Sequence, residues 1–210
     1  MTGLPLSRRS VLGIAGGLVS LTGCSLLIGQ PAPQLYRLTP RTAGAENGPK
    51  LRSQLVIDTP VAPQSLDTDR IALTLSPTRL DYYAGSAWTD RAPVLLQGLL
   101  VEAFENSDRL AAVARDSSAL NPDYLLATEL RDFEASYTGT SDQPPIVVVK
   151  LIATLVRMPS RHVVGSVLIA EQAAAAGRSL DSIVEAFDTA VGKVLTRIVG
   201  WTLRHMAYGR

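Results

Sequence analysis

Cysteine is almost missing from this chain. There is one in 210 residues, Cys24, and none after it. A single thiol excludes an internal disulfide, and with His162 and His205 as the only histidines a cysteine- or histidine-rich metal site is excluded too. Neither sign of charge dominates: Lys and Arg number 20, Asp and Glu 19. Without a basic excess nothing supports nucleic acid as a partner, and no strong field steers a charged substrate. Gly-x-Ser-x-Gly elbows, phosphate loops and metal-spaced His/Cys sets are absent as well. The paired acids Asp67 and Asp69, and Glu129 and Asp132, read as solvated loop and strand-face carboxylates. The expectation is a protein that is not an enzyme, has no catalytic residue, and carries neither cofactor nor metal.

What is present begins at the N-terminus. Residues 1–9 contain no acid and end in Arg8-Arg9, an apolar run follows over 10–20, and small residues lead to Cys24. The run is too short and too rich in glycine for a membrane-spanning helix; Gly13, Gly16 and Gly17 would each cost a soluble helix about 1 kcal/mol. The layout is that of an export signal. Leu21-Thr22-Gly23-Cys24 resembles a bacterial lipobox, in which the thiol is joined to diacylglycerol, the chain is cut before the cysteine, and the new amine takes a fatty acyl group such as palmitate. Several acyl chains anchor stably, since each buried methylene adds roughly 0.8 kcal/mol. Ser7-Arg8-Arg9-Ser10-Val11-Leu12 resembles a twin-arginine signal, although Val11 stands where Phe is usual; general secretion is the alternative route. Ser25 after the cysteine, in place of Asp, points by the same resemblance to the outer membrane. The expected divisions are a lipoprotein signal peptide over 1–23, a lipidated cysteine and tether over 24–33, and one domain over 34–208. The leader removes two arginines and no acid, so the mature charge is near −1.

Along the domain, short strands are expected at 35–38, 51–58, 71–76 and 79–83, with 84–88 breaking the sheet. Asp90 is expected to cap a helix running to about Asn106, with Pro93 in its first turn and Leu96, Leu99, Leu100, Ala103 and Phe104 as the buried stripe. A strand over 110–115 follows. Alternation from Tyr124 to Tyr137 slips phase after Leu130, which a bulge near Arg131-Asp132 explains. Residues 146–157 and 163–172 complete three antiparallel strands. Ser179 caps a last helix of about 42 Å. Its Gly192 and Gly200 mean either close packing on the sheet or approach by a second copy, a homo-oligomer. Tyr82, Tyr83 and Trp88 cluster ahead of the first helix as core packing or as an aromatic contact with a partner or lipid. The order of elements gives an α+β fold: a mixed, largely antiparallel sheet with two helices on one face.

The series Tyr36-Arg37-Leu38, Asp81-Tyr82-Tyr83, Trp88, Pro122-Asp123-Tyr124-Leu125-Leu126, Phe133-Glu134, Arg161 to Ser166 and Trp201, behind a lipobox, resembles the ABC-type transport auxiliary lipoprotein family, over about residues 34–204. The resemblance implies a fold similar to the N-terminal domain of TolB. It implies a lipoprotein on the periplasmic side of the outer membrane. Its partners would be an MCE-domain protein and an ABC transporter that move lipid or other hydrophobic molecules between membranes. Another envelope-assembly lipoprotein, such as a lipopolysaccharide-insertion accessory, is the alternative. Only Cys24 takes a defined chemical role from the resemblance.

Overall fold

The alternation from Tyr124 onward sets the sheet. In a computed structural model that describes residues 32–39, 48–116, 121–137 and 143–208, Tyr124, Leu126, Thr128 and Leu130 are buried in turn, followed by Phe133 and Ala135. The change of phase falls where pairing with the next strand skips between Leu130 and Asp132, the expected bulge. Arg8, Arg9, Cys24 and nearly all of the tether lie outside the described residues, as do most of the loop read over 41–50 and the tip of the hairpin at 139–145.

In chain order the elements are β1 (Gln34–Tyr36), β2 (Leu51–Ile57), β3 (Arg70–Ser76), β4 (Arg79–Trp88), α1 (Ala92–Asn106), β5 (Leu110–Arg115), β6 (Tyr124–Ser136), β7 (Ile146–Arg157), β8 (His162–Ala174) and α2 (Leu180–Tyr208). The eight strands make one mixed sheet and the fold is α+β. Strands β6, β7 and β8 are consecutive and antiparallel. The other edge of β6 is shared. Its first residues pair in parallel with β2 and its last with β3, and between them Val61 bridges Glu129. The Val61 amide donates to the Thr128 carbonyl at 2.9 Å and the Leu130 amide to the Val61 carbonyl at 2.8 Å. Strands β2 and β3 therefore lie end to end along one strand. β5 flanks β2 in parallel, β4 flanks β3 antiparallel, and β1 flanks β4 in parallel.

Two local expectations are corrected. β4 does not end at Tyr83 but continues to Trp88, and β1 pairs with its last three residues. Its pairing with β3 slips between Tyr82 and Ala87, where Gly85 takes φ +64°. The small residues 84–86 are thus a bulge within a strand, which only glycine accommodates cheaply at that φ. Asp90 does not cap α1. The N-cap position is held by Arg91, with no side-chain cap, and the Ala92 amide donates to the Thr68 carbonyl at 3.0 Å. The loop before β3 supplies the acceptor that a capping carboxylate would have offered.

Both helices cover the same face of the sheet. The expected α1 stripe is buried together with Gln97, whose Nε2 donates to the Ile57 carbonyl at 2.9 Å and to Asp116 Oδ1 at 3.1 Å. In α2 the Ser182 amide donates to Ser179 Oγ at 3.3 Å, the predicted cap. Ile183, Phe187, Val191, Val194 and Ile198 close over Val147, Val149, Leu151, Ala153 and Leu155 of β7, all within 1% of full burial. The opposite face of β7 is half-buried and open, with Lys150 and Asp132 paired across the strands.

Candidate functional site

The residues after β1 form a strap over α2. Tyr36 Oη donates to Asp181 Oδ1 at 3.1 Å, Leu38 is buried, and the Thr39 amide donates to Asp188 Oδ1 at 2.8 Å. Asp181 and Asp188 are two turns apart, so the strap follows one flank of the helix. Beside it opens a cleft of about 680 Å³ between α2 and β8, lined by Thr39, Glu171, Asp188, Gly192, Lys193 and Arg197. Strand β8 is paired on one side only, by β7. At its free edge Lys193 Nζ donates to the Gln172 carbonyl at 3.1 Å, and Arg197 Nη1 meets Glu171 Oε1 at 2.5 Å. A smaller recess of about 200 Å³ continues past Thr196, Gly200 and Trp201.

The cleft carries charge of both signs, Glu171, Glu185 and Asp188 with Lys193 and Arg197. Burial raises the Asp188 carboxyl above its ordinary range, the two Thr39 hydrogen bonds pull it down, and Glu185 pushes it up again. Among the described residues no group of three or more His, Cys, Asp or Glu side chains is placed to hold a metal ion. His205 stacks on Trp201 with centroids 4.5 Å apart and its Nδ1 lies 2.8 Å from the Trp201 carbonyl, while His162 is exposed at the start of β8. Gly192 and Gly200 are both buried and line the two recesses.

The aromatic cluster divides. Trp88 is 1% exposed and packs on Phe133 and Phe187, with centroid separations of 5.6 and 5.1 Å. As a contact for a partner or lipid it is corrected: its ring is in the core. Tyr82 and Tyr83 are half-buried. Arg70 stacks over the Tyr82 ring at 3.8 Å and Tyr82 Oη donates to the Ser65 carbonyl at 3.0 Å. The Tyr83 hydroxyl lies 3.0 Å from that of Tyr137, and burial, followed by that hydrogen bond, pushes its pKa upward. The structure therefore does not bring the three together at one surface. The strap and the β8–α2 cleft were not legible as a site, although Asp188, a carboxylate directly after the buried Phe187, was a signal of a half-buried acceptor.

Among the described residues no helix is long and apolar enough to cross a membrane. The ABC-type transport auxiliary lipoprotein component family matches residues 36–199. A crystal structure of protein XCC0632 from Xanthomonas campestris is 31% identical, with a TM-score of 0.77, covering 84% of this chain and 98% of that one. A second crystal structure, of a protein without a functional name, shares the fold at 14% identity with a TM-score of 0.63, over 80% of this chain and 97% of that one. Protein bll6063 of Bradyrhizobium diazoefficiens is 28% identical over 208 residues, 96% of this chain and 52% of that protein. The chain thus spans about half the length of that curated relative.

Proposed function

The chain belongs to the ABC-type transport auxiliary lipoprotein family, and from that premise we propose that it is a non-catalytic outer-membrane lipoprotein of an MCE/ABC-type system that moves lipid between membranes. Export through Arg8 and Arg9, by the twin-arginine or the general route, and acylation at Cys24 would place the domain on the periplasmic face. Its role is docking. The observation that carries this reading is the make-up of the β8–α2 cleft: five charged side chains, Glu171, Glu185, Asp188, Lys193 and Arg197, stand around it with three threonines and a glycine, where a pocket for an acyl chain would be lined mainly by large apolar and aromatic side chains. A protein partner, the MCE-domain protein or the ABC transporter, is the occupant such a wall suits.

The test is affinity capture of the tagged, full-length lipoprotein from its own membranes in mild detergent. Recovery of an MCE-domain protein with the ABC transporter supports the proposal. Recovery of an outer-membrane β-barrel partner in their place overturns it and favours an envelope-assembly role. A second arm uses Arg197→Glu, which sets two acids against each other at the cleft. Capture should fall while the thermal midpoint is kept; unchanged capture moves the docking surface away from β8 and α2.

A further inference from the structure

The pairing of β1 gives the domain a direction. β1 runs parallel to β4, with Gln34 opposite Ser86, so the chain enters from the end of the sheet where β4 begins, at the β3–β4 turn. That turn lies ahead of β1. Ala87 is opposite Arg70 and Arg79 opposite Ser76, so the length of β3 from Arg70 to Ser76, about 20 Å, separates the two levels. Ten residues join Cys24 to Gln34 and reach at most about 35 Å. An anchored Cys24 therefore lies within reach of the plane of the turn.

The same end of the sheet carries several exposed apolar side chains. Every residue from 75 to 81 is exposed, including Leu75 at 41% and Leu80 at 38%. Leu80 is opposite Thr74, Thr74 opposite Ser136, Ser136 opposite Ile146 and Ile146 opposite Ala174. Paired residues share a face, so Leu80 and Ile146, 36% exposed, stand in one row across five strands on the side that no helix covers. Leu35, at 62%, alternates with Tyr36, which faces α2, and so lies on that open side between the tether and the turn. Arg79 and Asp81 add one charge of each sign at the tip. At the other end of the sheet the β7–β8 turn presents Ser160, Arg161 and His162, followed by a single exposed apolar residue, Val163, at 54%.

We infer that the rim made by the β3–β4 turn and the start of β7, with Leu75, Leu80 and Ile146, rests on the surface of the membrane that holds Cys24. The inference depends on the anchoring proposed above and adds the orientation: helix α2 and the β8 cleft stand to the side, clear of lipid. Apolar side chains at the tip enter the interfacial layer, where Arg79 meets phosphate groups.

The experiment uses the full-length acylated lipoprotein, purified from membranes and reconstituted into vesicles of phosphatidylethanolamine and phosphatidylglycerol. Acylation consumes the only thiol, so a cysteine introduced at Thr78, Leu80 or Ser160 is the single site for an environment-sensitive fluorophore. These positions are exposed and tolerate the change. Lipids with a nitroxide in the upper acyl chain should quench labels from Thr78→Cys and Leu80→Cys and leave the label from Ser160→Cys bright. Equal brightness at all three sites, or stronger quenching at Ser160→Cys, overturns the rim contact. Vesicle flotation separates this from the anchoring: protein that floats without quenching refutes the rim alone, and protein that does not float refutes the anchor and the rim with it.

Discussion

The Thr39 amide and hydroxyl both meet the carboxylate of Asp188, at 2.8 and 3.4 Å, across 149 residues of sequence. With Tyr36 on Asp181, this ties the first described segment to the last helix. Leu38 is thereby held under the strap, 2% exposed.

The strap gives a pH dependence. Burial first, then Glu185, raises Asp188 above its ordinary 3.8, against the Thr39 hydrogen bonds. Burial first, then Asp116, does the same for Asp58. A carboxyl raised on folding binds its proton better in the native state. Its stabilising contribution is full below the unfolded pKa and is lost as pH rises through the folded one. The stability of the natural chain relative to an Asp58→Asn/Asp188→Asn variant should therefore rise on acidification from neutrality to about pH 4. Urea unfolding of both at the two pH values measures it. A gap that moves the other way means the carboxylates are held as anions.

The ring cluster of Trp88, Phe133 and Phe187 closes the core between β4, β6 and α2, with Phe133 and Phe187 5.0 Å apart. Phe133→Ala should cost about 3–5 kcal/mol, because neighbours fixed in the sheet cannot collapse into the space. Val149→Asp, at a position 0% exposed, should cost several kcal/mol by burying an unpaired charge. Denaturant midpoints with unchanged slope are the readout, and natural-level stability in either variant would place these residues outside the core.

Tyr83→Phe removes the hydroxyl bond to Tyr137 and should cost about 1 kcal/mol. In the ultraviolet alkaline titration the natural chain should hold two phenols protonated beyond the ordinary tyrosine range, Tyr83 through burial and its Tyr137 bond and Tyr36 through burial and its Asp181 bond. Tyr83→Phe should remove one of the two and leave the other; two late phenols in the variant would assign the first to another tyrosine.

Exported behind a cleavable leader in place of residues 1–23, the Cys24→Ala protein should appear in the soluble periplasmic fraction with the thermal midpoint of the anchored domain. Residues Ala32–Arg210 form a compact unit of their own. Sedimentation with outer membrane would show that something other than an acyl chain holds it.

The helices and the long strands were legible because their signal is local. Leu96 to Phe104 repeats at helical spacing, and Val147 to Leu155 alternates, whatever lies opposite. The bulge at Leu130 was legible for the same reason, as a phase slip within one strand. Residues 84–86 were misread because small residues and a glycine look like a break, whereas the neighbouring strands β1 and β3 hold them in the sheet. The cap at Asp90 was misread because the Thr68 carbonyl, from a loop over twenty residues earlier, reaches the helix start first. Trp88 was ambiguous because an aromatic next to a helix start serves a core or a surface equally well; only Phe133 and Phe187 closing on it decide.

By itself, the sequence determined the periodic elements and the lipobox-like pattern that ends at Cys24. These depend on residue identity and on spacing within a few turns or a single strand. Tertiary structure alone decided that β2 and β3 share one edge of β6, that Trp88 is interior, that Thr39 rests on Asp188, and that Leu75, Leu80 and Ile146 gather at the end from which the chain enters. Each of these joins residues far apart in the chain. Such pairs are chosen by which arrangement buries both apolar surfaces while satisfying the backbone, a condition that no local pattern contains.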